Sequence, residues 1–172
     1  MKALLFVSTL ASFYSSAEAY GPCDSLKGWT MFRRYCYKVV NEWATFSEAE
    51  KKCQKEFAHL TSIHSQDEND FLRAMTRKGE IPKDAWSNDV WIGLMLHEHI
   101  GEWKWLDRSR LDYTNWARWE PNFNETEHYG AMMPDTSYHN YTLYNPHGGE
   151  WNNHDGRALR GYICKKHTFY PY

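Results

Sequence analysis

Glu120, Asn122 and Glu127 stand close together in the chain, and Asn152 and Asn153 follow about thirty residues later. All five side chains carry oxygen. A hard cation such as calcium takes six to eight oxygens at about 2.3–2.6 Å, drawn from carboxylates, amide carbonyls and water. Glu120, Asn122, Glu127 and Asn152 offer four such side chains, and Asn153 offers an uncharged fifth. The plainer reading of the same residues is surface chemistry. Glu-Pro-Asn is a common tripeptide, and Asn-Asn near glycines is ordinary turn sequence.

The other reactive residue types are not patterned for catalysis. His97-Glu98-His99 is not the HExxH zinc-protease pattern. His128, His139, His147 and His154 share one long stretch without metal spacing, so they read as solvated loop histidines. No nucleophile–base pair, Gly-rich phosphate loop or paired catalytic carboxylate stands out, so an enzyme is not expected.

The elements that must position these residues belong to a chain of 172 residues, a length that favours one domain with a real core. Lys2, an apolar run from Ala3 to Phe13 and Ala17-Glu18-Ala19 read as a signal peptide over residues 1–19, leaving a mature domain of residues 20–172. No later apolar run approaches the ~20 residues of a membrane span. The expected product is therefore secreted and without a transmembrane anchor. A formal charge of -2 and scattered basic residues give no electrostatic case for nucleic acid.

Secretion makes disulfides the default for Cys23, Cys36, Cys53 and Cys164, which allow three connectivities. Cys23 and Cys36 suit a local clamp, and Cys53 and Cys164 would then tie an early helix to the last strand. The absence of a CxxC pair argues against zinc-thiolate.

Trp29 to Val40, with Tyr35, Tyr37, Val39 and Val40 on either side of Cys36, suits a strand or hairpin. Thr45 and Glu48 form a capping-box pattern before Phe46, Ala49, Cys53 and Phe57, which predicts an amphipathic helix over about 46–56. Ser65 and Glu68 repeat that pattern before Phe71, Leu72 and Met75. Val90 to Leu94, Trp103 to Leu106 and Gly161 to Cys164 read as strands, with a shorter candidate from His59 to Ile63. Between Asp107 and Glu150 periodicity fades, and so long a stretch in a compact domain is usually functional or disordered. Its Trp and Met residues argue for order. The fold class is α+β.

Taken in order, these pieces resemble the C-type lectin-like domains. Phe46-Ser47-Glu48-Ala49 with Cys53 is similar to the family's first helix, and Ser65 to Asn69 with Phe71 to its second. Trp91-Ile92-Gly93-Leu94 is similar to its central strand. Glu120-Pro121-Asn122 resembles the triplet that selects mannose-type sugars, and Trp151-Asn152-Asn153 stands where the family has Trp-Asn-Asp.

The resemblance implies two helices packed on small antiparallel sheets, with a long ordered binding loop. It implies bridges Cys23–Cys36 and Cys53–Cys164, and a cis bond before Pro121. It also implies one calcium held by Glu120, Asn122, Glu127, Asn152 and Asn153, with Glu120, Asn122, Glu127 and Asn152 also binding sugar hydroxyls. Loss of the Asp charge at Asn153 weakens that calcium, with Asp155 and Glu125 as spare carboxylates. The family's inner bridge falls on Tyr129 and Gly156 and is absent. Its auxiliary acidic ligands fall on Leu96, Ile100, Phe123 and His128, so at most one calcium is expected.

The implied function is secreted, calcium-dependent recognition of mannose, glucose, N-acetylglucosamine or fucose-type glycans and glycoproteins. Any homo-oligomer would add avidity. The alternative is a sugar-independent protein-binding module of matrix, toxin-like or immune-modulating type. Asn124 and Asn140 head glycosylation sequons, and a glycan on Asn124 would crowd the sugar site. Trp119 has two readings, a stacking ring for sugar and a core anchor.

Overall fold

The computed structural model describes residues 23–79, 88–123, 125–135 and 148–168. The expected leader, both sequon asparagines, His139 and His147 lie outside the described residues.

Thr45 opens α1 (Phe46–Lys55) with the complete reciprocal box. Its hydroxyl accepts the Glu48 N–H at 3.3 Å, and the Glu48 carboxylate accepts the Thr45 N–H at 3.0 Å. Phe46, Ala49 and Cys53 form the buried face. Ser65 opens α2 (Gln66–Thr76) in the same way, its hydroxyl accepting the Glu68 N–H at 3.2 Å. The return half of that expected box is not made. The Glu68 carboxylate turns inward and accepts from Tyr37 Oη at 2.5 Å, Lys165 Nζ at 2.7 Å and the His64 N–H at 2.8 Å. A buried cation outcompetes the helix N-terminus for this carboxylate.

The strands are β1 (Thr30–Phe32), β2 (Tyr35–Ala44), β3 (His59–Leu60), β4 (Val90–His97), β5 (Glu102–Trp105), β6 (Tyr129–Met132), β7 (Trp151–His154) and β8 (Arg160–His167). They join in one eight-stranded network ordered β1-β2-β8-β4-β6-β7, with β3 on β8 and β5 on β4. The expected antiparallel pairing holds except between β4 and β8, which run parallel. β6 lies within the stretch that shows no periodicity in sequence.

Cys23–Cys36 and Cys53–Cys164 are bridged as the resemblance implies. The second bridge spans 111 residues and ties α1 to β8. Where the inner bridge is missing, the Tyr129 ring lies over Gly156, and a Cβ there would fall 2.5 Å from a ring carbon. The same ring packs on Phe46 at 4.4 Å between centroids, and the Phe46 N–H reaches the Gly156 carbonyl at 3.0 Å. An aromatic ring seated on a glycine thus holds this junction without sulfur.

Trp151 is fully buried and anchors the loop end of the core. Its ring meets those of Trp105, Tyr113 and Trp116 edge-on, and Nε1 donates to Asn69 Oδ1 at 2.8 Å. Asn69 in turn donates to the Gly149 carbonyl at 2.9 Å. These contacts fix β7, which carries Asn152 and Asn153.

Candidate cation and ligand site

β7 is laced to the segment that leads into Glu120. The Ala117 N–H donates to the Trp151 carbonyl, and the Trp151 N–H to the Asn115 carbonyl, both at 2.8 Å. On its other edge β7 pairs with β6, setting Asn152 opposite Ala131 and Asn153 opposite Gly130. The two halves of the proposed ligand set, far apart in sequence, therefore meet at one sheet edge.

The Glu120–Pro121 bond is cis. The Glu120 and Asn122 side chains meet, with Asn122 Nδ2 donating to Glu120 Oε1 at 2.9 Å and the Asn122 N–H to Oε2 at 3.1 Å. Asn122 Oδ1 is buried and has no hydrogen-bond partner. A buried acceptor left in this state costs about 1–3 kcal/mol.

Asn153 is completely buried, and its amide is engaged at both ends. Nδ2 donates to the Asn122 carbonyl and, at 2.8 Å, to the Glu127 carbonyl. Its Oδ1 accepts the Asn122 N–H at 2.9 Å. This explains the residue type: an aspartate would set a charged oxygen against two carbonyls. Asn152 Oδ1 accepts the Asn153 N–H at 2.8 Å, and its Nδ2 lies 3.4 Å from His154 Nε2.

Burial pushes the Glu120 carboxyl up to about 7, with Glu127 and Asp89 adding to the rise and the Asn122 N–H opposing it. Burial also raises Glu127, against the pull of His154 and Arg160. Two carboxyls held above their ordinary range beside an unmatched amide oxygen mark a place short of positive charge. The spare carboxylate, Asp155, is engaged elsewhere: hydrogen bonds from Arg157 draw its carboxyl down to about 2.

Tested as a cation site, Glu120, Glu127 and Asn122 fit, since their oxygens are the type a hard ion takes. Asn152 Oδ1 keeps a second lone pair beyond its one N–H bond. Asn153 Oδ1 likewise keeps a lone pair beyond the Asn122 N–H, while its Nδ2 ties the backbone around the set. Among the described residues no group of three or more His, Cys, Asp or Glu side chains is placed to hold a metal, and the site has two carboxylates with amides around them. At the auxiliary positions Leu96 is buried, Ile100 and Phe123 are exposed, and His128 Nδ1 sits 2.9 Å from Glu98 Oε1.

Two expectations are corrected here. Trp119 is no core anchor, being 64% exposed. His154 is no solvated loop residue. It ends β7, is buried, and places Nε2 2.7 Å from Asp89 Oδ2 beside Asn152. The Asp89–His154 pair escaped the sequence reading because every residue of β7 is buried, so Trp-Asn-Asn-His shows no alternation.

The Lectin C-type domain family matches residues 42–166. The C-type lectin lectoxin-Lio1 of Erythrolamprus poecilogyrus is 32% identical over 168 residues, covering 96% of this chain and 94% of that protein. One of the subunits of snaclec VP12 from Daboia palaestinae is 35% identical over 147 residues, covering 83% of this chain and 96% of that protein. Among solved structures, the cow CD23 C-type carbohydrate-recognition domain, crystallised in the presence of a GlcNAc2Man3 oligosaccharide, superposes with a TM-score of 0.67 at 27% identity, covering 84% of this chain and 96% of that one. With this fold, these two bridges and this loop, the chain belongs to the C-type lectin domain family.

Proposed function

We propose that the chain is a secreted, calcium-dependent lectin for mannose-type glycans. The observation that carries this reading is the buried, unpartnered Asn122 Oδ1 beside two carboxyls with raised pKa values. Glu120, Asn122, Glu127, Asn152 and Asn153 would hold the ion, Asn153 as the uncharged member that weakens it. Calcium, when bound, supplies the positive charge that these oxygens lack and that draws two sugar hydroxyl oxygens. Glu120 can only accept and Asn122 Nδ2 can only donate, and they stand 2.9 Å apart. A vicinal diol can replace that direct bond by giving a proton to Glu120 and taking one from Asn122. The order suits the equatorial hydroxyl pair of mannose, glucose, N-acetylglucosamine and fucose. The CD23 domain crystallised with a mannose-containing oligosaccharide supports it by likeness.

The reading includes cleavage of residues 1–19 and glycans on Asn124 and Asn140, checked by the mass and N-terminal sequence of the secreted product. No helix among the described residues is long and apolar enough to cross a membrane. Glycans or glycoproteins are the partners.

A second reading, a sugar-independent protein-binding module, is favoured by Asn153. Its amide ties the loop without a cation and removes one negative charge from the set. The likeness to a snaclec, a protein named as one part of an assembly, points the same way. Chromatography on mannose and galactose resins separates the two. Retention on mannose alone, lost in EDTA, is expected of the lectin. Retention indifferent to EDTA, or none by the deglycosylated protein, would favour the protein-binding module.

A further inference from the structure

Two cavities lie side by side away from the Glu120 loop. One, of about 360 Å³, is lined by Lys165, Lys166, His167 and Asp107, among others. The other, of about 400 Å³, is lined by Arg33, Arg34 and Glu68. Tyr35 and His64 wall both. Tyr35 and His167 are register partners on β2 and β8, which β4 and β6 separate from β7 in the strand order. Folding thus gathers basic residues that are scattered in the sequence, on a chain whose formal charge is -2.

The two carboxylates of the walls are already matched. Glu68 is held by Lys165 and Tyr37, and Asp107 accepts from Ser62 Oγ at 2.5 Å and from the Ser109 N–H at 2.9 Å. The carboxylates beside the walls each sit on a basic partner, Asp67 on Arg33, Glu50 on His59 and Asp112 on His64. Two cations are left without a carboxylate of their own. Arg34 is exposed, and its guanidinium makes no ion pair among the described residues. Lys166 Nζ donates to the Glu56 carbonyl at 3.3 Å and lies 3.9 Å from the Trp29 centroid, while the Glu56 carboxylate is taken by Lys38 and Trp29 Nε1.

We infer that this groove binds a sulfated polysaccharide of the glycosaminoglycan type, at a place apart from the Glu120 loop and independent of either reading of that loop. Sulfate oxygens only accept, and guanidinium and ammonium groups only donate. A chain that repeats its charge along its length can engage Lys166 in one cavity and Arg34 in the other, whereas a lone anion fills one alone. A nucleic acid stacks its bases on open ring faces. Here the Tyr35 ring has Lys165 Nζ at 4.2 Å and the His167 ring at 4.6 Å, and Phe32 has Phe71 at 4.6 Å and the Arg33 guanidinium at 5.2 Å. An acidic peptide brings backbone N–H groups that need acceptors, and the wall carboxylates are engaged.

The test is calorimetry on the purified protein in EDTA, which keeps calcium from the Glu120 loop. The probes are a heparin-derived hexasaccharide and its fully desulfated counterpart. The sulfated probe should bind at low salt at least about tenfold more tightly, with log affinity falling linearly in log salt. Arg34→Gln and Lys166→Gln should each weaken the sulfated probe by about fivefold and lower the salt slope by about one. Arg34 is exposed, so its variant should keep Tm, and it carries the test by itself if Lys166→Gln lowers Tm through lost packing on Trp29. Equal binding of both probes, no binding of the sulfated one, or unchanged affinity and slope in Arg34→Gln would overturn the inference. Tighter binding of oligo-dT or of an oligo-glutamate peptide than of the hexasaccharide would overturn it as well.

Discussion

The polar centre between α2 and β8 buries its charged side chains and the loop around Glu120 half-buries its own, and they treat them in opposite ways. At the first, Lys165 donates to Glu68, to the Ser62 carbonyl and to Ser62 Oγ, while Glu68 also receives Tyr37. Every group there has its complement within the chain. In the loop, burial raises both Glu120 and Glu127, Glu127 adds to the rise at Glu120, and Asn122 Oδ1 has no hydrogen-bond partner. Internal pairing stabilises a fold, and an incomplete set leaves room for a ligand. Asn153 stands between these cases, as a loop residue whose own hydrogen bonds are complete.

The contrast can be broken experimentally. Glu68→Gln leaves Lys165 buried without its counter-charge and should cost about 3–5 kcal/mol in denaturant unfolding. A loss below about 1 kcal/mol would mean that the centre is not the stabilising pair described. Asn153→Asp sets a carboxylate against the Asn122 and Glu127 carbonyls and should cost about 1–3 kcal/mol in EDTA, with faster proteolysis near 119–128. Unchanged proteolysis would show that the amide does not hold the loop. Glu120→Gln removes a carboxylate that burial disfavours, so calcium-free Tm should stay level or rise slightly, while mannose retention is lost. A fall in calcium-free Tm as large as that of Glu68→Gln would erase the distinction between the two regions.

Much of the framework was legible in sequence because its signals are local. Thr45 and Glu48 cap a helix whether or not the rest is known. Glu68 was legible as a cap partner but not as a core residue, because its real partners lie on β2 and β8. β6 was hidden because Tyr-Gly-Ala-Met is short, lacks alternation and pairs with strands distant in sequence. Positions 129 and 156 stood out as a missing bridge, yet only three-dimensional packing shows a ring on a glycine there. At the site, residue types suggested oxygen donors, but the direction in which Asn153 points depends on two carbonyls that the folded turn supplies.

The most direct test of the central claim is a calorimetric titration of calcium into the metal-free protein, followed by methyl α-mannoside. One calcium site, with sugar heat appearing only after it is filled and vanishing in EDTA, is the expected result. Sugar binding of equal strength without calcium, or no calcium binding at millimolar concentration, would contradict the assignment of Glu120, Asn122, Glu127, Asn152 and Asn153 as the ion-holding set.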